Sequence, residues 1–245
     1  KVYANEKSLN KEIDKVYGKF LAKAKEDNIL LDNTEESKKI EAIGKEIYTS
    51  IDKYYLVKGQ KNPVEEFKWQ FALIESEQKN AWCMPGGKIA FYTGILPVCK
   101  NDDGIAAVMG HEIAHAFARH TVEKLTQSSM IQMATIGISN SRYSQLLSRS
   151  FRIGNVGGNV YNSVVKYGIF LPFSRNMESE ADYLGMAFMN LSGFDIKEPS
   201  KLWGRMMLEQ KKSIPEFMSS HPNPENRSDK FLEWENEIID KFPRV

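Results

Sequence analysis

Residues 102–121 read DDGIAAVMGHEIAHAFARHT. Ile105, Ala106, Ala107, Val108, Met109, Ile113, Ala114 and Phe117 fill the run so densely that a helix over Ile105–Thr121 is expected to be buried around most of its circumference. Into this apolar segment the sequence sets His111, Glu112 and His115. Three ionisable groups there are costly to bury unless they are paired or bound to a metal. A helix turns about 100° per residue, so positions four apart lie roughly 40° from each other on one face. The imidazoles of His111 and His115 can therefore reach one ion. Glu112, about 100° round from His111, projects beside that ion without being forced to ligate it. Such a carboxylate can take the proton from a metal-bound water, as in a zinc-dependent hydrolase.

Zinc in a hydrolase takes three protein ligands and keeps one position for water. His120 is the nearest further histidine, but it lies nine residues beyond His111, about 180° round the helix. It is expected to be a capping or surface residue. The extended pattern HExxHxxGxxH also fails, because Ala118 and Thr121 occupy its glycine and final histidine positions. A better donor is Met177-Glu178-Ser179-Glu180-Ala181-Asp182. On a helix Glu178, Asp182 and Gly185 share one stripe, while Glu180 projects about 200° from Glu178. Glu178 could ligate the metal while Asp182 orients a ligating imidazole through its other ring nitrogen. The small residues Ala181 and Gly185 would let this helix approach the His111 helix closely.

Outward from these motifs the chain is mostly helical. Residues 1–58 read as two charged amphipathic helices. Leu9, Ile13, Val16, Tyr17 and Phe20 recur at helical steps in the first, and Ile40, Ile43, Ile47 and Ile51 in the second. Thr34 and Ser37 offer caps for the second. Strands are expected over Phe67–Ile74, Ala81–Met84 and Lys88–Thr93, with Pro85-Gly86-Gly87 suited to a type II turn, giving a small antiparallel sheet. A second helix is expected from Val122 to about Ile138. Residues 139–174, rich in Ser, Asn and Gly, read as a loop and a candidate lid. Further helices fit Ser174–Leu191, stopped by Ser192-Gly193, then Lys197–Gln210 and Pro224–Asp240, with Ser219–Pro224 as a rigid turn. Strands confined to one early block amid helices indicate an α+β class.

Composition narrows the function. Of 245 residues 42% are hydrophobic and 27% charged, as in a folded globular protein rather than a disordered one. A net charge of +1 supplies no broad basic field for nucleic acid. No apolar run approaches the roughly 20 residues that span a bilayer, which leaves room only for peripheral membrane association. Cys83 and Cys99 form neither a CxxC pair nor zinc-finger spacing, and sequence leaves open whether they are bridged. The chain begins at Lys1, which suggests either a trimmed chain or a mature secreted form.

HEIAH at 111–115, followed some 60 residues later by SRNMESEAD, resembles the gluzincins of metallopeptidase family 48. Asn80-Ala81-Trp82, Pro85-Gly86-Gly87 and the segment His221-Pro222 with Arg227 extend the likeness over about residues 65–232. The resemblance implies one zincin-like metalloprotease domain over 1–245, with N-terminal helices at 1–58, a catalytic core at 65–232 and a sheet beside the active-site helix. It implies one zinc ion per chain, held by His111, His115 and Glu178, with Glu112 as general base. His221 then occupies the open coordination position or donates to the tetrahedral oxyanion, and Arg227 stabilises that charge. The implied activity is zinc-dependent endopeptidase cleavage of proteins or peptides bound in extended form. A metal-stabilised holdase and an aminopeptidase stand as alternatives. The soluble periplasmic members are the nearer match, so a periplasmic or otherwise exported location is expected.

Overall fold

The computed structural model describes residues 6–124, 172–210, 215–222 and 226–245. Helix α1 (Glu6–Glu26) and helix α2 (Glu35–Val57) precede three strands, β1 (Gln70–Ile74), β2 (Ala81–Met84) and β3 (Lys88–Tyr92). Thr34 caps α2 by accepting the Ser37 amide at 3.1 Å. The strands alternate cleanly between two faces, as a pleated sheet requires. Ala72, Ile74, Trp82, Met84, Ala90 and Tyr92 meet Leu9, Ile13, Tyr17 and Phe20 of α1. Leu73, Ala81, Cys83, Ile89 and Phe91 face the larger core on the other side. Burial of each such large apolar side chain contributes roughly 1.5–3 kcal/mol. Two polar links tie α1 to the central strand: Tyr17 Oη donates to the Ile89 carbonyl at 3.0 Å, and buried Lys88 pairs with Asp14 at 3.0 Å.

The sheet is mixed, not antiparallel as expected. Its order is β1-β3-β2; β2 runs antiparallel to β3, but β1 pairs with β3 in parallel, Gln70 opposite Lys88 through Ile74 opposite Tyr92. The chain reverses once through residues 75–80 and again at Pro85-Gly86-Gly87, and two reversals restore the first direction. β3, buried along its whole length, takes the centre. The second reversal needs glycine, since Gly86 and Gly87 have φ of 76° and 82°.

Short helix α3 (Leu96–Cys99), not foreseen from the sequence, leads into α4 (Asp102–Phe117), whose residues Gly104–Ala116 are all buried. Asn101 caps α4 by accepting the Gly104 amide at 2.8 Å, and Asp102 and Asp103 stand in its first turn, where the helix dipole favours acids. α4 stops four residues before the expected Thr121. Ala118 and Arg119 form a turn, with Arg119 in the left-handed region at φ 60°, and helix resumes over 120–124. The remainder of the expected helix to about Ile138, and the loop from 139 up to 171, lie outside the described residues.

Helix α5 (Arg175–Ser192) follows, capped by Ser174 and ended by Gly193 at φ 79°. Its main partner is α4. The two backbones nearly touch at Gly110 and Gly185: a Cβ on Gly185 would sit 3.0 Å from the His111 amide nitrogen. Helix α6 (Glu198–Gln210), the single-turn helix α7 (Glu216–Ser220) and helix α8 (Arg227–Lys241) complete the chain. α7 occupies part of what sequence marks as turn. Cys83 and Cys99 are both buried and unbridged. Among the described residues no helix is long and apolar enough to cross a membrane.

Candidate metal centre

The Gly110–Gly185 contact fixes what α5 presents to α4. Asp182 lies one turn before Gly185 on the same stripe and Glu178 one turn earlier still, so both carboxylates arrive beside the histidine pair. His111 Nε2 and His115 Nε2 are 3.0 Å apart. Glu178 spans them, with Oε2 at 3.4 Å from His111 Nε2 and Oε1 at 3.2 Å from His115 Nε2. His221, at the end of α7, closes the group: its Nδ1 is 3.1 Å from His111 Nε2 and 3.0 Å from Glu178 Oε1. All four side chains are buried, and their ligand atoms lie within 4.8 Å of one another.

These lengths test whether the group suits zinc. Ligands held about 2.0–2.1 Å from zinc at tetrahedral angles lie about 3.3 Å from each other. The separations above, from 3.0 to 3.4 Å, lie near that length, with Glu178 meeting His111 through Oε2 and His115 and His221 through Oε1. Imidazole nitrogens and one carboxylate are also the donors zinc prefers. The fourth corner is filled by His221 Nδ1, where a hydrolytic site keeps its open position.

The surroundings fix each ring. His111 Nδ1 donates to Asp182 Oδ1 at 3.0 Å, so Nε2 is the nitrogen turned to a metal. Phe173 stacks on His115 with centroids 3.9 Å apart. His221 lies between Phe173 and Phe217, at 5.3 and 4.3 Å from their centroids. The Phe173 amide donates to the Ser220 carbonyl at 3.1 Å, joining the segment before α5 to the end of α7. Glu112 is 1% exposed. Its Oε1 lies 3.3 Å from His221 Nε2, off hydrogen-bonding geometry, and has no hydrogen-bond partner among the described residues.

Electrostatics separate the titrating groups. Burial raises the Glu112 pKa, with His221 and His111 opposing the shift. Burial alone would raise Glu178 too, but His221 and His111 outweigh it and hold that carboxyl well below its ordinary range. Burial pulls His111 down, yet Glu178 and Asp182 prevail and raise it to about 9. Burial holds His115 well below its usual value: Glu178 opposes the shift, but the charges of His111 and His221 add to it. Buried Lys124, its Nζ 3.5 Å from the Phe173 ring centroid, is lowered to about 7 by burial.

The structure thus brings together His111, Glu112, His115, Glu178, Asp182 and His221. Arg227 joins the group at its carboxylates: it donates to Asp182 Oδ1 and its Nη2 lies 3.4 Å from Glu178 Oε2. One residue departs from expectation. His120 is neither capping nor superficial. At 2% exposure its Nδ1 meets His115 Nδ1 at 3.0 Å, because the break at Ala118–Arg119 cancels the helical phase that would have turned it away. Phe173 and Phe217, which brace the imidazoles, were not marked by any spacing in the sequence.

Comparison with known proteins agrees with this geometry. The description of peptidase family M48 matches residues 45–235, beginning within α2 and so further upstream than the motifs alone indicate. The mitochondrial metalloendopeptidase OMA1 of Schizosaccharomyces pombe is 35% identical over 173 residues, 70% of this chain and 48% of that protein. The mitochondrial metalloendopeptidase OMA1 of Saccharomyces cerevisiae is 33% identical over 190 residues, 73% of this chain and 51% of that one. A putative beta-barrel assembly-enhancing protease of Vibrio cholerae is 26% identical over 160 residues, 64% of this chain and 32% of its own length. The chain therefore spans about half the length of the two yeast relatives and about a third of the bacterial one.

Proposed function

The chain belongs to peptidase family M48, and on that premise we propose that it is a zinc-dependent endopeptidase cutting proteins or peptides bound in extended form. The observation that carries this reading is the convergence of His111, His115 and Glu178, whose ligand atoms lie within 4.8 Å of one another, beside a buried Glu112 carboxylate oxygen that has no hydrogen-bond partner among the described residues. When bound there, zinc would polarise the scissile carbonyl and acidify a water molecule. Glu112 Oε1 takes the proton from the attacking water and delivers it to the departing amine. Its raised pKa suits both halves of that transfer, since a carboxylate in the ordinary range releases its proton easily but accepts one poorly at neutral pH.

Asp182 holds His111 by accepting its Nδ1 proton, and Arg227 anchors Asp182 and Glu178 in turn. His221, at the fourth corner, is read as a resting ligand that must withdraw before substrate enters. Its Nδ1 position supports this over donation to an oxyanion.

The substrate strand is placed on the outer edge of β2, which runs beside α4. Register supports this. The Tyr92 amide donates to the Asn80 carbonyl at 3.0 Å, so Trp82 and Met84 direct their main-chain groups to β3. Ala81 and Cys83 then face outward; the Cys83 carbonyl meets Thr121 Oγ1 at 3.5 Å. Main-chain pairing at Ala81 would hold an extended peptide without demanding a side-chain sequence.

The test measures metal content and peptide cleavage together, before and after chelation, and maps cut sites in unfolded casein. Internal cuts that vanish with zinc and return with it support the proposal. Trimming from termini indicates an aminopeptidase, and zinc-replete protein that cuts nothing indicates a holdase. The periplasmic or otherwise exported location proposed from the resemblance is checked by fractionating source cells.

A further inference from the structure

The three acids of the α5 segment all reach imidazoles. Glu178 joins the four-ligand group, Asp182 accepts from His111 Nδ1, and Glu180, about 200° round the helix from Glu178, reaches His120 Nε2 with its Oε2 at 3.1 Å. His120 in turn lies Nδ1 to Nδ1 with His115 at 3.0 Å. Two imidazole nitrogens at that distance share one proton: two would collide, and none would leave two lone pairs opposed.

We propose that His120 is a positioning residue for His115: its Nδ1 accepts the His115 Nδ1 proton and so presents His115 Nε2, as a lone pair, to the metal, while Glu180 fixes the His120 proton at Nε2. The inference rests on the reading that His115 ligates zinc through Nε2. Given that, the proton assignment has one solution along the row. His115 carries hydrogen on Nδ1 and donates it, His120 Nδ1 must accept, and the remaining His120 hydrogen sits on Nε2 and is donated to Glu180 Oε2. The arrangement parallels His111 and Asp182 with an imidazole inserted. The carboxylate acceptor is moved outward to Glu180, whose side chain is 60% exposed, so a buried histidine links a surface acid to a buried ligand. Arg119 makes this reach feasible. Its left-handed backbone ends α4, and its guanidinium is fixed by Glu6 Oε1 at 2.9 Å and the Pro63 carbonyl at 2.9 Å.

The test is zinc affinity of the full chain by competition with a chromophoric chelator, for wild type, His120→Leu, His120→Asn and Glu180→Ala. Leucine fills the space without an acceptor, whereas asparagine keeps an acceptor atom near the Nδ1 position. Loss of an orienting partner typically weakens metal binding by about 10–100-fold, so His120→Leu should fall in that range, Glu180→Ala less, and His120→Asn should stay within about threefold of wild type. Apoprotein unfolding midpoints of His120→Leu and His120→Asn should match each other, since both lose the ring. Wild-type affinity in His120→Leu, or His120→Asn as weak as His120→Leu, overturns the inference while leaving the zinc reading intact. If His120→Leu does not fold, wild-type affinity in Glu180→Ala, an exposed substitution, overturns it. A wild-type chain that binds no zinc removes both.

Discussion

Arg227 offers the sharpest check on how the centre is held together. It is 3% exposed, donates to Asp182 Oδ1, lies 3.4 Å from Glu178 Oε2, and stacks 3.5 Å over the centroid of Trp203. Arg227→Met keeps an unbranched apolar stem against Trp203 but removes the cation, so two buried carboxylates lose the arginine they share. Breaking a buried ion pair by removing one partner costs about 3–5 kcal/mol. For a chain of this size each kcal/mol shifts the unfolding midpoint by about 2–4 °C, so chelated Arg227→Met should unfold roughly 6–20 °C below chelated wild type. Zinc restores positive charge at Glu178 but not at Asp182. Saturating zinc should therefore recover part of the loss and not all of it. Thermal unfolding followed by circular dichroism, with and without zinc, measures both values. If Arg227→Met unfolds within about 2 °C of wild type in both conditions while kcat alone collapses, the arginine serves the reaction and not the carboxylates.

Glu112→Gln should retain stoichiometric zinc and lose about 10²–10⁴-fold in kcat, the range of a positioned proton-transfer group; undiminished turnover on metal-replete protein refutes the general-base role. Glu178→Gln should lower zinc content and leave the apoprotein folded, and unchanged stoichiometry removes Glu178 from the ligand set. Zinc affinity should climb between pH 7 and about 9. Burial opposes a proton on His111, but Glu178 and Asp182 hold it there to about 9, and the metal must displace it; a flat profile after correction for the chelator contradicts this. Gly185→Ala places a Cβ 3.0 Å from the His111 amide nitrogen, and such overpacking costs about 1–3 kcal/mol. Because the two helices must part, zinc affinity should fall together with the unfolding midpoint, and a stability loss with full affinity would show that the Gly110–Gly185 contact does not set the ligand geometry.

What could be read from the sequence follows what periodicity encodes. His111, Glu112 and His115 lie on one uninterrupted helix, so their relative directions follow from 100° per residue. Glu178, Asp182 and Gly185 share a stripe for the same reason, and the small residue on that stripe announced the close crossing that joins the two motifs. Strand faces followed from alternation, but strand order did not, because β1 beside β2 and β1 beside β3 bury the same residues. The single turn Glu216–Ser220 is too short to show a period, and neither phenylalanine flanking His221 sits in a periodic pattern that would mark it. His120 is the instructive failure. Its expected direction rested on α4 continuing, and nothing at Ala118-Arg119 signals a stop: there is no glycine, no proline and no asparagine. The stop is held by Glu6, 113 positions away, and by the Pro63 carbonyl, which together grip Arg119 in a left-handed conformation that local preference disfavours. A helix end imposed by distant contacts is invisible to any local pattern. It follows that residues just beyond such an end, as His120 is, are where helical phase most readily mislays a member of a site.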